Sequence, residues 1–258
     1  MGKLMGWRRL MTMGRPTRFF AGLILLLAGA SAAAAAEPRV LEYSYPDQSV
    51  WTTRLDARGE PDNPLLRLAA PLFQQAGIPW RARGLPAARL FEHLRDGQTD
   101  FSILVKGTVL DKCCLISKRP VAGTELRVYH RKGKRPITSR EDLAGKEVIT
   151  VHGYTYGSLL PFIKDPANRI GNNGTVSHES AFAMLERGRA DYLLDYAGPA
   201  QEVLAERPIR DLEYDVIDRL DVHLVLNRTF PDAEALMSRL ETIAAGLTIE
   251  GVPKPNLK

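Results

Sequence analysis

The chain is poor in the residue types on which disulfide, redox and metal chemistry depend. Its only cysteines are the neighbours Cys113 and Cys114, and its five histidines are scattered without metal-ligand spacing. Neighbouring cysteines close only a small, strained ring when they pair. We interpret them as two small apolar residues in or near a core, with a vicinal disulfide as the alternative, and we predict neither a metal nor a cofactor.

Catalytic signatures are also lacking. The sequence contains no Gly-x-Ser-x-Gly elbow and no phosphate-loop motif. Carboxylates are plentiful, but no pair stands out as an acid–base couple. His152 with Asp195 is the one combination that we weigh, and any polar cleft contains such pairs. The sequence therefore predicts a protein that is not an enzyme.

Long apolar runs are confined to the start of the chain. Residues 19–30 are apolar over about the length of a signal-peptide core, which is too short to span a bilayer comfortably, and small residues follow at Ala34 and Ala36. Five basic residues and no acidic residue come before this run: Lys3, Arg8, Arg9, Arg15 and Arg18. We predict a signal peptide over residues 1–36, Sec export, and a mature protein that is soluble in the periplasm.

The excess of positive charge is confined to this predicted leader. The whole chain carries 35 Lys and Arg against 30 Asp and Glu, and the five basic residues of the leader account for the difference. The remaining chain is near neutral, whereas a nucleic-acid binder keeps a basic excess. The charge pattern therefore argues against nucleic acid as a partner.

One internal repeat carries more information than any other feature. Residues 94–104 align without a gap with residues 185–195, and each stretch has the pattern of a helix end, a glycine, an aspartate and a buried strand. The glycines, Gly97 and Gly188, lie where the end of a helix favours a positive φ angle. The repeat is too widely spaced for a solenoid, so we infer one similar unit in each of two domains.

The rest of the chain alternates between strand and helix patterns, which predicts an α/β fold with mostly parallel sheets. The predicted strands cover residues 40–45, 78–83, 101–105, 125–130, 147–151 and 222–226. The predicted helices cover residues 64–76, 86–96, 199–206 and 232–245, with a further helix beginning near residue 156. A Gly-Asn-Asn-Gly stretch at residues 171–174 predicts a turn.

Ligand-type side chains follow several of the predicted strands. In open parallel sheets, ligands bind beyond the carboxyl ends of the strands. Aromatic rings there pack the body of a small ligand, and a few charged or hydroxyl groups fix its ends. The candidate ligand-binding residues found in this way are Tyr45, Trp51, Lys106, Tyr154, Thr155, Tyr156, Asp195 and Tyr196.

Five of these candidates, Tyr154, Thr155, Tyr156, Asp195 and Lys106, have a purely structural interpretation beside the functional one. The glycine-containing loop at residues 152–157 leads into a helix, whose N–H groups favour a carboxylate or phosphate, or else it is a turn with locally packed tyrosines. Asp195 pairs with a ligand ammonium group or caps the next helix. Lys106 neutralises a ligand anion or points into water.

The order and spacing of several motifs resemble the family 3 extracellular solute-binding proteins, the polar amino-acid binding type of ABC transporters. The stretch at residues 85–100 resembles the family's first-lobe helix and strand. Ser139-Arg140-Glu141-Asp142-Leu143-Ala144-Gly145-Lys146 resembles its entry to the second lobe, and residues 183–195 resemble its "ML-GRAD-D" pattern. Each motif is weak alone, but together they cover nearly the whole mature chain.

The resemblance implies a type II periplasmic-binding-protein fold, with two α/β lobes and two crossing hinge segments. Lobe one would comprise residues 37–126 and 222–258, and lobe two residues 127–221. Thr155 and its neighbours would hold a carboxylate, Asp195 would hold an amino group, and Arg89 joins the ligand-binding candidates. The expected function is capture of a small molecule by a monomer, for delivery to an inner-membrane transporter.

Lobe one departs from the family pattern. Amino-acid binders usually carry a "T-x-x-R" step whose arginine clamps the ligand carboxylate, and residues 107–114 of this chain contain no arginine, with Lys112 as a loose substitute. An ordinary amino acid is therefore a doubtful ligand. The alternatives are a periplasmic carrier or sensor for another, more apolar ligand, and a dehydratase-like enzyme on the same fold.

Overall fold

Strands and helices alternate along the chain, as the sequence predicts. The computed structural model describes residues 39–48, 54–107 and 110–247. The predicted signal peptide and the candidate Trp51 lie outside these residues. None of the helices in the described part of the chain has the length and the apolar character that crossing a bilayer requires.

Nine strands and six α-helices make up the described part of the chain. The strands are β1 (Leu41–Pro46), β2 (Trp80–Leu85), β3 (Phe101–Val105), β4 (Cys114–Ile116), β5 (Ala122–Arg131), β6 (Glu147–Val151), β7 (Gly171–Thr175), β8 (Tyr192–Tyr196) and β9 (Leu212–Asn227). The helices are α1 (Pro64–Ala76), α2 (Ala87–Arg95), α3 (Leu159–Lys164), α4 (His178–Glu186), α5 (Ala197–Glu206) and α6 (Ala233–Ala245).

Helix α1 shows how local sequence fixes an element. The Asn63 Oδ1 atom accepts a hydrogen bond from the Leu66 N–H at 3.0 Å, which satisfies one of the free donors at the start of the helix. Gly77 ends the helix in a left-handed conformation with φ 60°, which costs glycine little. Leu72 and Phe73 are fully buried, and they anchor α1 to the sheet.

The sheet has two parallel parts. Its strand order is β2-β1-β3-β9-β5-β8-β6-β7, and β4 pairs with β9 on the edge of β9 that faces away from β3. Strand β1 is parallel to β2 and β3, and β6 is parallel to β7 and β8. The strands in the middle, β5 and β9, are antiparallel to each other and to the strands beside them.

The two long central strands join the parts into one continuous curled sheet. Residues 222–226 of β9 pair with β3 in the first part, and residues 212–216 of the same strand pair with β5 in the second. A register shift interrupts the β5–β9 ladder between Leu126 and Arg127. Such bulges bend a strand and increase its twist. These strands are the two crossing segments that the resemblance implies.

Each part of the sheet has its own apolar cores. Residues such as Phe73, Phe101 and Leu240 lie in a core on the β1 side, while Val148 and Leu194 lie in another on the β6 side. Separate cores on the two sides of the crossing strands give the fold two lobes. We call the part around β1 lobe one and the part around β6 lobe two.

Two predictions from the sequence differ from the structure, one at strand β7 and one at strand β9. The turn predicted at residues 171–174 is wrong, because these residues form β7, an edge strand that pairs in parallel with β6. Glycine and asparagine are disfavoured in strands, but Asn172 accepts a hydrogen bond from the Thr150 hydroxyl at 2.7 Å. The sequence also predicts only the buried end of β9 as a strand, because the first ten residues of β9 carry no buried side chain.

Candidate functional site

A cavity of about 430 Å³ lies between the lobes. Its walls come from strand ends, from α1 and α2 of lobe one, from the start of α5 and from the crossing strand β5. The lining is mainly apolar, with aliphatic and aromatic side chains that include Leu65, Leu68, Leu90, Phe91, Ile103, Leu104, Val105 and Val222. A volume of this size suits a small molecule.

The carboxyl ends of strands from both lobes converge on this cavity. Pro46 ends β1 and Val105 ends β3 in lobe one, while Tyr196 ends β8 in lobe two, and all three line the cavity. Tyr154 and Thr155, which follow β6, complete the wall from lobe two. This is where open parallel sheets bind their ligands, and here two such sites face each other.

The charged residues that line the cavity neutralise each other. They are Glu125 and Arg127 of β5, and the Arg127 Nε and Nη2 atoms donate to Glu125 Oε2 at 2.9 and 2.7 Å. Arg127 also lies 4.1 Å from the ring centroid of Tyr214, and Arg219 lies 3.4 Å from the second Glu125 oxygen. The two charged side chains in the lining are therefore paired with each other, and most of the remaining lining is apolar.

Tyr154 is held by a buried chain of hydrogen bonds that ends at Asp195. The His178 Nδ1 atom lies 2.7 and 2.8 Å from the two Asp195 oxygens, and Nε2 lies 3.1 Å from the Tyr154 hydroxyl. Asp195 also accepts the Tyr196 N–H at 2.7 Å. Asp195 is fully buried and His178 is 1% exposed. His178 thus occupies the place beside Asp195 where the sequence predicts the ammonium group of a ligand.

The loop between β6 and α3 faces a protein side chain. The backbone N–H groups of Tyr156 and Gly157 lie close to the Tyr196 hydroxyl. Tyr156 has φ 52°, a left-handed conformation that is costly for an aromatic residue, and its ring stacks on Tyr196 at 5.7 Å between centroids. A phenol therefore lies where the sequence predicts a ligand carboxylate or phosphate.

The tyrosines of this wall stay protonated. Burial raises the pKa of Tyr154 well above its ordinary value, and the nearby Asp195 carboxylate raises it further. Burial also raises the pKa of Tyr196, although the nearby N–H groups of Tyr156 and Gly157 oppose that shift. Through His178, the buried Asp195 carboxylate fixes the position of the Tyr154 hydroxyl at the cavity wall.

The lobes touch at the rim of the cavity. The Gln48 Nε2 atom donates to the His152 and Val176 carbonyl oxygens of lobe two, at 3.0 and 3.1 Å, and its Oε1 atom accepts the Ala87 N–H of lobe one at 2.6 Å. An ion pair between Arg54 and Glu202 also joins the two lobes. The structure is therefore a closed arrangement of the lobes.

Three of the candidates predicted from the sequence line the cavity: Tyr154, Thr155 and Tyr196. The other described candidates lie elsewhere. Tyr45 packs against Tyr43, Arg89 is exposed on α2, and Lys106 is exposed beside a smaller pocket. Tyr156 is buried behind Tyr196, and the Asp195 carboxylate faces His178.

Sequence reasoning missed the polar residues of the crossing strand. Glu125 and Arg127 lie two positions apart on β5, so they share one face of a strand and enter the cavity together. The i, i+2 spacing of opposite charges is common on strands and gave no distinctive signal. His178 and Gln48 were also missed, because their partners lie far away in the sequence.

No cluster of side chains in the described part of the chain is suited to hold a metal ion. The scattered histidines explain this, since His130 and His223 contact Asp215 and Ser117 in different lobes. Burial lowers the pKa of His223, because a charged imidazole is disfavoured there.

The architecture defines the class of fold. Two α/β lobes, two crossing strands and a cavity at facing strand ends constitute the two-lobed, type II periplasmic-binding-protein fold. The sequence matches no protein-family model and no curated protein sequence.

Solved structures of low sequence identity share this fold. A histidine kinase sensor domain with similarity to periplasmic binding proteins has a TM-score of 0.70 and 17% identity, over 84% of this chain and 99% of that chain. The holo form of ArgBP from T. maritima has a TM-score of 0.65 and 19% identity, over 80% and 89% of the two chains. The substrate binding protein of an amino acid ABC transporter has a TM-score of 0.64 and 15% identity, over 80% and 92%.

Proposed function

We propose that this chain is a periplasmic solute-binding protein that encloses a small molecule with a mainly apolar body between its lobes. The observation that carries the proposal is the cavity of about 430 Å³ at the facing strand ends of both lobes. Binding there would hold the lobes together, since the ligand would contact both at once. The protein acts by binding, and no chemical step is assigned to it.

The missing amino-acid anchors support an apolar ligand. Residues 107–114 contain no arginine to clamp a ligand carboxylate. The Tyr196 hydroxyl lies beside the N–H groups of the loop after β6, and the Asp195 carboxylate contacts His178. Each group that would hold a free amino acid is therefore either missing from the sequence or already in contact with another residue of this protein. A ligand that gains its affinity from apolar burial fits this wall better.

Delivery to an inner-membrane transporter is the downstream step that we propose. The second candidate function is that of a periplasmic carrier or sensor for the same ligand. The replacement of the residues that would hold an amino acid favours this second function. Loss of uptake of the ligand in a deletion strain supports delivery. Unchanged uptake with a lost transcriptional response supports the second candidate.

The proposal is tested with N-phenyl-1-naphthylamine, a neutral apolar probe, and with a panel of free amino acids. We expect the probe to raise the melting temperature and the amino acids to leave it unchanged. Ligand at roughly 100 times Kd adds about 2.7 kcal/mol of stability. A shift with amino acids and none with the probe or other apolar compounds would contradict the ligand class, and no shift with any compound would contradict the function.

Phe91→Ser should weaken binding of this probe about tenfold, because it removes roughly 1.5 kcal/mol of apolar burial from the cavity wall. The measurement is a fluorescence titration. Phe162→Ser is the matched control, since Phe162 is also half-buried but lies away from the cavity, under Arg140. Equal losses of affinity in the two variants would place the probe outside the cavity.

Glu125→Gln should make the cavity select for anionic ligands, because it leaves Arg127 and Arg219 without their shared carboxylate. The probes are N-phenyl-1-naphthylamine and its sulfonate, 1-anilinonaphthalene-8-sulfonate. We expect the sulfonate to bind about fivefold more tightly and the neutral probe to be unaffected, since a partly exposed charge pair contributes about 1 kcal/mol. A change that is equal for both probes would argue against a direct contact with this ion pair.

A further inference from the structure

The two cysteines form a pair of touching thiols that the binding site does not use. The Sγ atoms of Cys113 and Cys114 are 2.9 Å apart, and both cysteines are free. A disulfide bond is about 2.0 Å long. The two sulfur atoms therefore need to approach each other by only about 0.9 Å to close the ring. Cys113 is half-exposed at the end of a turn, while Cys114 is buried at the start of β4.

The environments of the two thiols differ in the way that a stepwise oxidation requires. Burial raises the pKa of the Cys114 thiol, and its contact with Cys113 raises it further. The half-exposed Cys113 is therefore the thiol that an external oxidant reaches first, with Cys114 already in contact as the resolving thiol. Neighbouring Cα atoms are about 3.8 Å apart, below the usual span of a disulfide. Such strained disulfides are the easily reduced ones.

The turn that carries Cys113 is connected to the wall of the main cavity. The Cys113 N–H and its thiol both contact the Leu110 carbonyl oxygen, at 3.2 and 3.5 Å. The Leu110 side chain packs in a small pocket together with Phe91, Val105 and Thr155. These three residues also line the main cavity. Leu110 therefore links the turn of Cys113 to residues of the cavity wall.

The other side of the cysteine pair is firmly held. The Arg228 N–H donates to the Cys113 carbonyl oxygen at 2.9 Å, and Cys114 pairs with Asn227 of β9. The Asn227 side chain donates to the Leu94 carbonyl oxygen at 2.5 Å and accepts from the Thr229 N–H at 2.9 Å. Because this side is fixed, ring closure moves the turn at residues 110–113 rather than β4.

We propose that Cys113 and Cys114 are a reversible redox site, which a disulfide oxidant converts to a vicinal disulfide, and that ring closure changes the ligand affinity of the main cavity. The second half of this proposal rests on the proposed function. The Cys113 thiolate attacks one sulfur of the oxidant, R–S–S–R, and releases one thiol. Cys114 then loses its proton and attacks the Cys113 sulfur, which releases the second thiol. Two electrons and two protons pass from the cysteines to the oxidant.

The redox half is tested on the purified mature chain in mixtures of reduced and oxidised glutathione, followed by intact mass and by maleimide labelling. We expect the protein to lose the mass of two hydrogen atoms, to lose both reactive thiols, and to recover both in reduced glutathione. Cys113→Ser and Cys114→Ala should each retain one thiol and stop at the free thiol or at a glutathione adduct. A wild-type protein that stops there as well would overturn the proposal.

The coupling half is tested by comparing the reduced and the oxidised protein. We expect the Kd of N-phenyl-1-naphthylamine to change about fivefold, the lower end of ordinary coupling between sites, and hydrogen exchange to change over residues 110–116 and 153–157. Cys113→Ser should show neither change. If the probe binds in neither state, the proposed function fails, and hydrogen exchange at residues 153–157 alone decides the coupling. Unchanged exchange and unchanged Kd would refute it.

Discussion

Gly153→Ala is expected to weaken ligand binding at least tenfold, because it prevents the lobes from closing. Gly153 lies in the loop after β6 with φ 84°, and a Cβ atom added there would lie 2.3 Å from the Ala88 nitrogen of lobe one. The nearest atoms are helix backbone, which cannot rotate away as a side chain does. The clash is relieved only by separating the lobes, which also breaks the hydrogen bonds of Gln48. A tenfold loss corresponds to about 1.4 kcal/mol.

The measurement combines the probe titration with small-angle scattering of the free and the ligand-bound protein. Gly153→Ala should remain extended when the probe is added, whereas the wild-type protein should be compact. Gly133→Ala is the matched control, since Gly133 has φ 87° and no atom within 4 Å of the added Cβ. It carries the same backbone strain, roughly 1–2 kcal/mol, without the clash. If both variants bind the probe equally well, the approach of Gly153 to α2 does not govern closure.

The fold could be predicted because its signals are local. Helix α1 has its cap at Asn63 and its stop at Gly77, and strands β3 and β6 are short buried runs with clear ends. The repeat also predicted the positive φ angles of Gly97 and Gly188. Each of these features is determined within a few residues of chain, so that one sequence is enough to recognise it.

The site was predictable only in part, because its decisive contacts join distant residues. Tyr154, Thr155 and Tyr196 follow strands, and the rule for parallel sheets places them at the cavity. The same rule cannot show that His178 reaches Asp195. An aspartate at a strand end has the same sequence pattern whether a ligand or a histidine of the protein pairs with it. The lobe boundaries predicted from the resemblance, at residues 126 and 222, stay a prediction.

The contact between His178 and Asp195 also has the largest expected effect on stability. Asp195→Ala should lower the free energy of unfolding by about 3–5 kcal/mol, the usual cost of removing one partner from a buried pair. The substitution leaves the His178 Nδ1 atom and the Tyr196 N–H without their acceptor in the interior. An unsatisfied buried donor costs about 1–3 kcal/mol. Urea denaturation with unchanged m-values measures the loss.

Asp215→Ala is the matched control for this prediction. Asp215 accepts hydrogen bonds from His130 Nε2 at 3.0 Å and from the Ile137 N–H at 2.8 Å, so it resembles Asp195 in its partners. Its side chain is 25% exposed, however, and water can replace the lost carboxylate. We therefore expect a loss of only about 1–2 kcal/mol. If Asp195→Ala retains full stability and instead abolishes binding of an amino acid, then Asp195 holds a ligand ammonium group and the apolar ligand class is wrong.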